Sequence, residues 1–231
     1  ANADYPHVEL ELLAEGDRSI GTRRWSRTAL SPSVLNFYVG FDRPLPEFTH
    51  HTFFFDADWD THFDAVYTHP RWIEEPLFYL HVPSKSDDGV APAGHEAVYI
   101  LVPIAPGLED TPERRERYFD LVMERMEKHT GASLRDHVVF RRSYSITDFE
   151  RDYNAFRGTA FGLGQTLFQT AWFRPANRSK KLENLYYCGH YTVPGTGTTM
   201  STISGIMTAQ RIFEDHGGAP TVPQGRPPVS A

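Results

Sequence analysis

The stretch that most constrains this chain is Asn184-Leu185-Tyr186-Tyr187-Cys188-Gly189-His190-Tyr191-Thr192-Val193-Pro194-Gly195-Thr196-Gly197-Thr198-Thr199-Met200, running on into Ser201–Glu214. Leu185 to Cys188 is a short apolar run and reads as a buried strand. A Gly/Pro/Thr loop follows. Met200, Ile203, Met207 and Ile212/Phe213 then recur at helical spacing, with Ser204, Gly205 and Ala209 between them. Strand, glycine-rich loop and helix together bring a backbone close to a cofactor. Glycine lets the main chain take φ > 0 and approach a ligand with no Cβ in the way. The free N–H groups of the helix start face that ligand, and the helix dipole favours negative charge there. The same pattern also serves as an ordinary turn.

Two upstream segments extend the pattern, Gly158-Thr159-Ala160-Phe161-Gly162-Leu163 and Trp172-Phe173-Arg174-Pro175-Ala176-Asn177-Arg178. With Asn184 to Ser204, they resemble the C-terminal part of carotenoid desaturases of the bacterial phytoene dehydrogenase type. These are FAD enzymes of the wider amine-oxidase-like flavoprotein group. In order and spacing the resemblance runs from about Ser31 to about Phe213. It implies that the loop and helix close over the flavin, with cofactor contacts at Gly189, His190, Pro194, Gly195, Thr196, Gly197, Thr198, Thr199 and Met200. Two departures bear on the subfamily. His190 and Tyr191 stand where many members have a small residue and a Ser or Thr, and Thr198 stands where many have an aliphatic residue.

The chain opens on Ala1-Asn2-Ala3-Asp4 as if inside a domain, and in the resembled family a similar Asn-Ala-Asp lies near the flavin. The family's G-x-G-x-x-G strand-turn-helix is absent; Gly195-x-Gly197-x-x-Met200 lacks the third glycine. The chain therefore reads as the C-terminal half of a flavoenzyme, from a truncated chain or a split gene, with the N-terminal FAD-binding half as its partner. The expected division is a remnant of the FAD-binding domain over 1–6, a substrate domain over 7–178, a strand-loop-helix rejoining the FAD-binding domain over 179–216, and a disordered tail over 217–231.

Within the substrate domain the pattern predicts a helical connector over Val8–Leu13 and a charged loop over Arg18–Arg27. Strands are expected over Ser33–Phe41, His50–Phe55, Leu77–Val82, Ala97–Ile104 and Val138–Ser145. Helices are expected over Asp56–His69, stopped by Pro70, and from Thr111-Pro112-Glu113 to Thr130, ended by Gly131. The second carries a Tyr118/Phe119, Val122/Met123 and Met126 stripe. Ile146–Phe156 reads as a short helix or turn. The fold class is α/β: an α+β substrate domain with a mixed sheet and helices on one face, plus the C-terminal strand-helix of a Rossmann-like FAD-binding domain.

Net charge is −7 with no basic patch, which excludes a nucleic-acid partner. The single cysteine, Cys188, allows no disulfide within the chain and points to a reducing, cytoplasmic setting. No apolar run approaches the roughly 20 residues of a spanning helix. Aromatic content is 13%, which suits either an aromatic-rich core or a wide apolar pocket. Eleven histidines give no zinc spacing; His50 and His51, adjacent in a strand, are expected to face opposite ways and so cannot share one ion, and no metal is expected. Asp56, Asp58 and Asp60 lack the glycine and glutamate of a calcium loop and read as a solvated helix start.

The resemblance implies an apolar carotenoid substrate, hydride transfer to flavin, and peripheral association with a membrane, where such a substrate resides. No general base can be named. His190 is the nearest titratable residue and reads more readily as packing, while Arg174 and Arg178 are candidate anchors between domains. The competing classes are another flavin oxidoreductase of the same fold (an amine oxidase, a carotenoid ketolase or a saturase) and a non-catalytic lipid-binding remnant. An amine oxidase would show an aromatic pair caging the amine, and this loop offers only Tyr191.

Overall fold

Ser33–Phe41 has the β-branched and aromatic content of a buried strand and forms β1, an inner strand of a five-stranded sheet. The computed structural model describes residues 1–218; positions 219–231 of the expected tail lie outside the described residues. The remaining strands are β2 (His51–Phe54), β3 (Phe78–His81), β4 (Glu96–Ile104) and β5 (Val138–Tyr144), in the order β2-β3-β4-β1-β5. The expected combination of sheet and helices is present, and every strand pairing is antiparallel. β1 has the expected bounds, β4 begins one residue earlier at Glu96, and β2, β3 and β5 are a residue or two shorter than expected.

The chain divides into two compact units, Thr28–Gly164 on one side and Ala1–Arg27 with the segment from Gln165 onward on the other. Residues 7–27 and 165–178, placed by the sequence division in the substrate domain, thus group with the C-terminal segment.

The 28–164 unit is built by alternation. β4 buries Val98, Ile100, Val102 and Ile104 and turns Tyr99 and Leu101 to the other face. Leu35, Phe37, Val39 and Phe41 of β1 and Phe78 and Leu80 of β3 join the same core. Helix α4 (Pro112–Thr130) lays Tyr118, Phe119, Val122, Met123 and Met126 on that face, and Phe119 meets Phe37 edge-on at 5.3 Å. Its start and stop are as the sequence predicts. Thr111 Oγ1 accepts from the Arg114 N–H at 3.2 Å, Pro112 takes the first position, and Gly131 closes it in the left-handed conformation.

Helix α3 (Trp59–Phe63) continues as one π turn over Asp64–Thr68, and Asp58 caps it by accepting from Thr61 N–H at 2.7 Å. It buries His62, Ala65 and Val66 and leaves Trp59, Phe63 and Tyr67 exposed. Helix α5 (Ile146–Tyr153) starts in a Ser145/Asp148 capping box. Immediately after it, Gly158 has φ +61, and a Cβ there would lie 2.5 Å from Ile146 Cγ2 and 2.7 Å from the Ile146 carbonyl oxygen.

In the other unit, α1 (Tyr5–His7) runs into a π turn over Val8–Leu12, α2 spans Thr22–Trp25, and α6 spans Thr198–Asp215. The expected loop over Arg18–Arg27 therefore contains one short helix.

The Gly158 contact yields a test. Positive φ alone costs an alanine about 1–2 kcal/mol. Gly158→Ala should cost more than that in urea unfolding, because the added methyl meets backbone rather than a movable chain end. A loss at or below the φ cost would show that Ile146 gives way.

Candidate functional site

The Tyr186–Cys188 segment is extended and pinned on both sides. Tyr187 N–H donates to Asn177 C=O at 2.7 Å, and Ser179 N–H to Leu185 C=O at 2.9 Å. Opposite, Cys188 N–H donates to Ala1 C=O at 3.1 Å, and the Ala1 amino group to Tyr186 C=O at 2.6 Å. The expected buried strand over Leu185–Cys188 is thus a single bridge, Arg178 to Tyr186. Its neighbours are irregular and pair for a residue or two each, so no ladder develops. Tyr186 and Tyr187 are buried; Leu185 and Cys188 are half-buried.

Tyr187 stacks on Tyr5 at 3.9 Å and 17°, and its hydroxyl donates to Glu9 at 2.6 Å. Glu9 is fully buried and also accepts from Ile20 N–H at 3.0 Å. Burial, then the bond and charge of Glu9, push the Tyr187 phenol well above its ordinary pKa. The pair leaves a buried carboxylate with two donors, which is the condition for burying it at all.

The loop that follows turns on Gly189, Gly195 and Gly197, at φ 114°, 140° and 118°. Arg174, 5% exposed, holds the loop from inside. Its Nε donates to Thr192 C=O at 3.0 Å and its Nη2 to His190 C=O. Burial lowers the Arg174 pKa, and burial with Arg174's charge lowers that of His190, whose ring lies 4.7 Å from Tyr191.

Helix α6 leaves this loop at Gly197, and no side chain caps it. Its inner face is polar. Ser204, with no exposure, receives the Gly189 N–H at 3.1 Å and lies 2.6 Å from Thr192 Oγ1. Asn177 Nδ2 donates to Ser204 Oγ at 3.3 Å, Thr208 Oγ1 at 2.9 Å and Tyr187 C=O at 3.2 Å. Thr208 Oγ1 donates to Tyr187 C=O at 2.9 Å. The apolar stripe expected along this helix lies outward, with Met200, Ile203, Ile206, Met207, Ile212 and Phe213 all at least 37% exposed.

The nine residues singled out from sequence therefore fall into two groups. Gly195, Thr196, Gly197, Thr198, Thr199 and Met200 come together at the start of α6, with Pro194 exposed just before them. Gly189 and His190 are tied inward by Ser204 and Arg174. At Gly197 an added Cβ would meet nothing within 4 Å, so the positive-φ backbone faces open space. The uncapped first-turn amides of an 18-residue helix beside a glycine pair fit a phosphate- or flavin-bearing cofactor.

Sequence reasoning missed Asn177, Thr192, Ser204 and Thr208; the one available signal was the Ser204/Thr208 i, i+4 pair inside an apolar repeat. Arg174 and Arg178, read as anchors between domains, act within one unit. Arg178 pairs with Asp215 at 3.1 Å and lies over the Tyr186 ring.

The 28–164 unit holds a polar cleft of about 370 Å³ lined by Asp110, Arg115, Ser143, Thr147 and Asp148. Arg115 pairs there with Asp110 at 2.6 Å and Asp148 at 2.7 Å, so these lining charges are already partnered with one another. The same unit overturns the histidine reading. β2 begins at His51, and His50 sits in the bend before it, outside the alternation of a strand. Ring nitrogens of His50, His51 and His81 lie within 4.8 Å of one another. The triplet of aspartates is accounted for at two positions: Asp58 caps α3 and Asp56 pairs with Arg125.

No protein-family model matches the chain. It is 44% identical, over 93% of its length and 43% of the relative's, to a carotenoid 3,4-desaturase of Haloarcula japonica. It is 33% identical to a zeta-carotene-forming phytoene desaturase of Myxococcus xanthus, over 92% of this chain and 41% of that one. A crystal structure of an oxidoreductase from Methanosarcina mazei superposes with a TM-score of 0.50 at 14% identity, covering 91% of this chain and 42% of that chain, which supports the fold alone. The fold class is α/β. More narrowly, the chain is homologous to the carotenoid desaturases over nearly its whole length, and it spans less than half the length of the curated relatives it matches.

The Ser204 knot predicts a local effect. Ser204→Ala removes the acceptor of the buried Gly189 N–H, which costs about 1–3 kcal/mol. Amide exchange at Gly189 should quicken and the chain should melt earlier. Unchanged Gly189 protection would mean that the loop is held by Arg174 alone.

Proposed function

We propose that this chain is the substrate-binding and flavin-closing part of an FAD-dependent carotenoid desaturase that acts on an apolar polyene. The observation that carries the reading is the start of α6. There a glycine pair at positive φ, open space and uncapped amides coincide at the residues where the resemblance places the flavin. FAD bound there would supply the hydride acceptor. The part of the chain's own residues is to bind and orient. Arg174 and Ser204 fix the loop, and the Thr198–Met200 amides offer positive potential to an anionic group. The outward apolar face of α6 suits a dinucleotide-binding portion packed over it, since a stripe of this kind ordinarily lies against another element.

An apolar substrate needs an apolar surface and selection by shape. The sheet face opposite α4 offers one. Phe53 and Tyr79 pair across β2 and β3, Tyr79 faces Leu101, and Tyr99 faces Tyr38 across β4 and β1. The same chemistry favours work at a cytoplasmic membrane surface. No helix among the described residues is long and apolar enough to cross a membrane. Instead Phe53, Phe55, Trp59, Phe63 and Tyr67 form a continuous exposed ladder, each ring 4.5–5.9 Å from the next. Exposed aromatic rings with one wet edge are suited to the headgroup level.

The reading is tested by co-expressing the chain with the remaining portion of the Haloarcula japonica relative in a host that accumulates acyclic carotenoids. The complex should carry flavin absorbance and shift the pigment to a longer polyene. Gly197→Val should lower flavin occupancy at least tenfold, since a positive-φ cost of about 1–2 kcal/mol corresponds to roughly that factor. Gln210→Ala, on the exposed side of α6, should leave it unchanged. Full flavin with Gly197→Val would reduce the loop to an ordinary turn. Flavin without pigment change would remove the desaturase reading.

Membrane contact has its own measurement. The protein should float with phosphatidylcholine vesicles, and replacing Trp59 and Phe63 by serine should abolish flotation while leaving the circular dichroism spectrum intact. Flotation that survives the double change would place the contact elsewhere.

A further inference from the structure

We propose that His50, His51 and His81 form a binding site for one borderline divalent transition-metal ion, of the Zn²⁺, Ni²⁺ or Cu²⁺ kind, at the rim of the sheet. The backbone brings the three together in two ways. His51 and His81 are directly paired across β2 and β3, which puts both side chains on one face. His50 arrives from the bend before β2, and Val82 N–H donates to its carbonyl at 2.9 Å, which fixes it opposite the end of β3.

The His50 and His51 rings each stack on His81, at 17° and 20°, and are tilted 37° to one another. Centroids are 4.7 Å apart for His50 and His81, 5.0 Å for His51 and His81 and 4.3 Å for His50 and His51. The His50 and His81 Nε2 atoms lie 2.8 Å apart. A tetrahedral ion at about 2.0–2.1 Å from each nitrogen sets ligand nitrogens roughly 3.3 Å apart. The pair at 2.8 Å and the third nitrogen within 4.8 Å bracket that spacing. Small ring rotations close it, and His51, being exposed, is free to make them.

The surroundings favour ligation over charge. The Tyr79 hydroxyl lies 2.6 Å from His51 Nδ1. That bond engages Nδ1 and leaves Nε2 as the nitrogen to ligate, and such outer partners orient ligating imidazoles. Three imidazoles with an open fourth position suit borderline ions, and Mg²⁺ or Ca²⁺, which take oxygen ligands, are excluded by the donor set. The ion would clip the segment before β2 to the end of β3. This site belongs to the 28–164 unit and does not depend on the carotenoid reading.

The test is calorimetric titration of the purified protein with Zn²⁺ in a non-coordinating buffer at neutral pH, paired with Cu²⁺ electron paramagnetic resonance. One equivalent should bind, the copper spectrum should show nitrogen ligation, and excess Mg²⁺ should not compete. His81→Gln and His51→Gln should each weaken Zn²⁺ binding at least tenfold with an unchanged circular dichroism spectrum. His69→Gln, at an exposed histidine paired with Asp64, should bind as the parent does. Failure to bind one equivalent, or binding retained when all three of His50, His51 and His81 are glutamine, overturns the proposal.

Discussion

One hydroxyl, that of Ser204, holds the candidate site in shape. It receives the Gly189 N–H, faces Thr192 and accepts from Asn177, so the helix, the glycine loop and the segment carrying Asn177 meet at a single buried oxygen. A buried polar group of this kind stabilises only when its partners are all present. Here three stretches of the chain come together to supply them. The positive-φ glycines can then turn the loop outward, because its inner side is already fixed by Ser204 and Arg174. The open space at Gly197 follows from that fixation.

Much of the 28–164 unit was legible in the sequence. Val, Phe and Tyr content marked β1, and the cap, proline and glycine around α4 marked both its ends to the residue. Such signals are local, and local signals survive folding. The edge of the sheet was less legible. His50 reads as a strand residue by its neighbours, yet the bend before β2 removes it from the alternation, and that bend has no strong turn residue to announce it. The metal-excluding argument rested on that one assumed dihedral.

The candidate site was legible as a location and illegible as a mechanism of support. Glycines, proline and threonines announce a special backbone, so Gly195 to Met200 could be named. The residues that hold them, Arg174, Asn177, Thr192 and Ser204, are ordinary types scattered over about 30 positions, and only three-dimensional convergence gives them a role. The Leu185–Cys188 run shows the reverse error. Its apolar content is real burial, but Tyr187 stacked on Tyr5 and Tyr186 beneath Arg178 are buried without a ladder.

The orientation of α6 joins these strands of the argument. Helical spacing of Met200, Ile203, Met207 and Ile212 would ordinarily turn that stripe to a core, since burying each large apolar chain is worth about 1.5–3 kcal/mol. The unit buries Ser204 and Thr208 instead. That choice is enforced from below: the Gly189 amide and the Tyr187 carbonyl lie in the interior and need partners, and leaving either without one costs about 1–3 kcal/mol. Ser204 and Thr208 satisfy both, one turn apart on the same helix face. The apolar stripe is then displaced outward by geometry, because one helix cannot turn both faces to the same neighbour. A sequence that keeps such a stripe on the outside of a helix has a use for it against another surface. The glycine loop at the helix start and the apolar stripe along its length are therefore both left on the outer side of α6, while its inner side is spent on backbone partners.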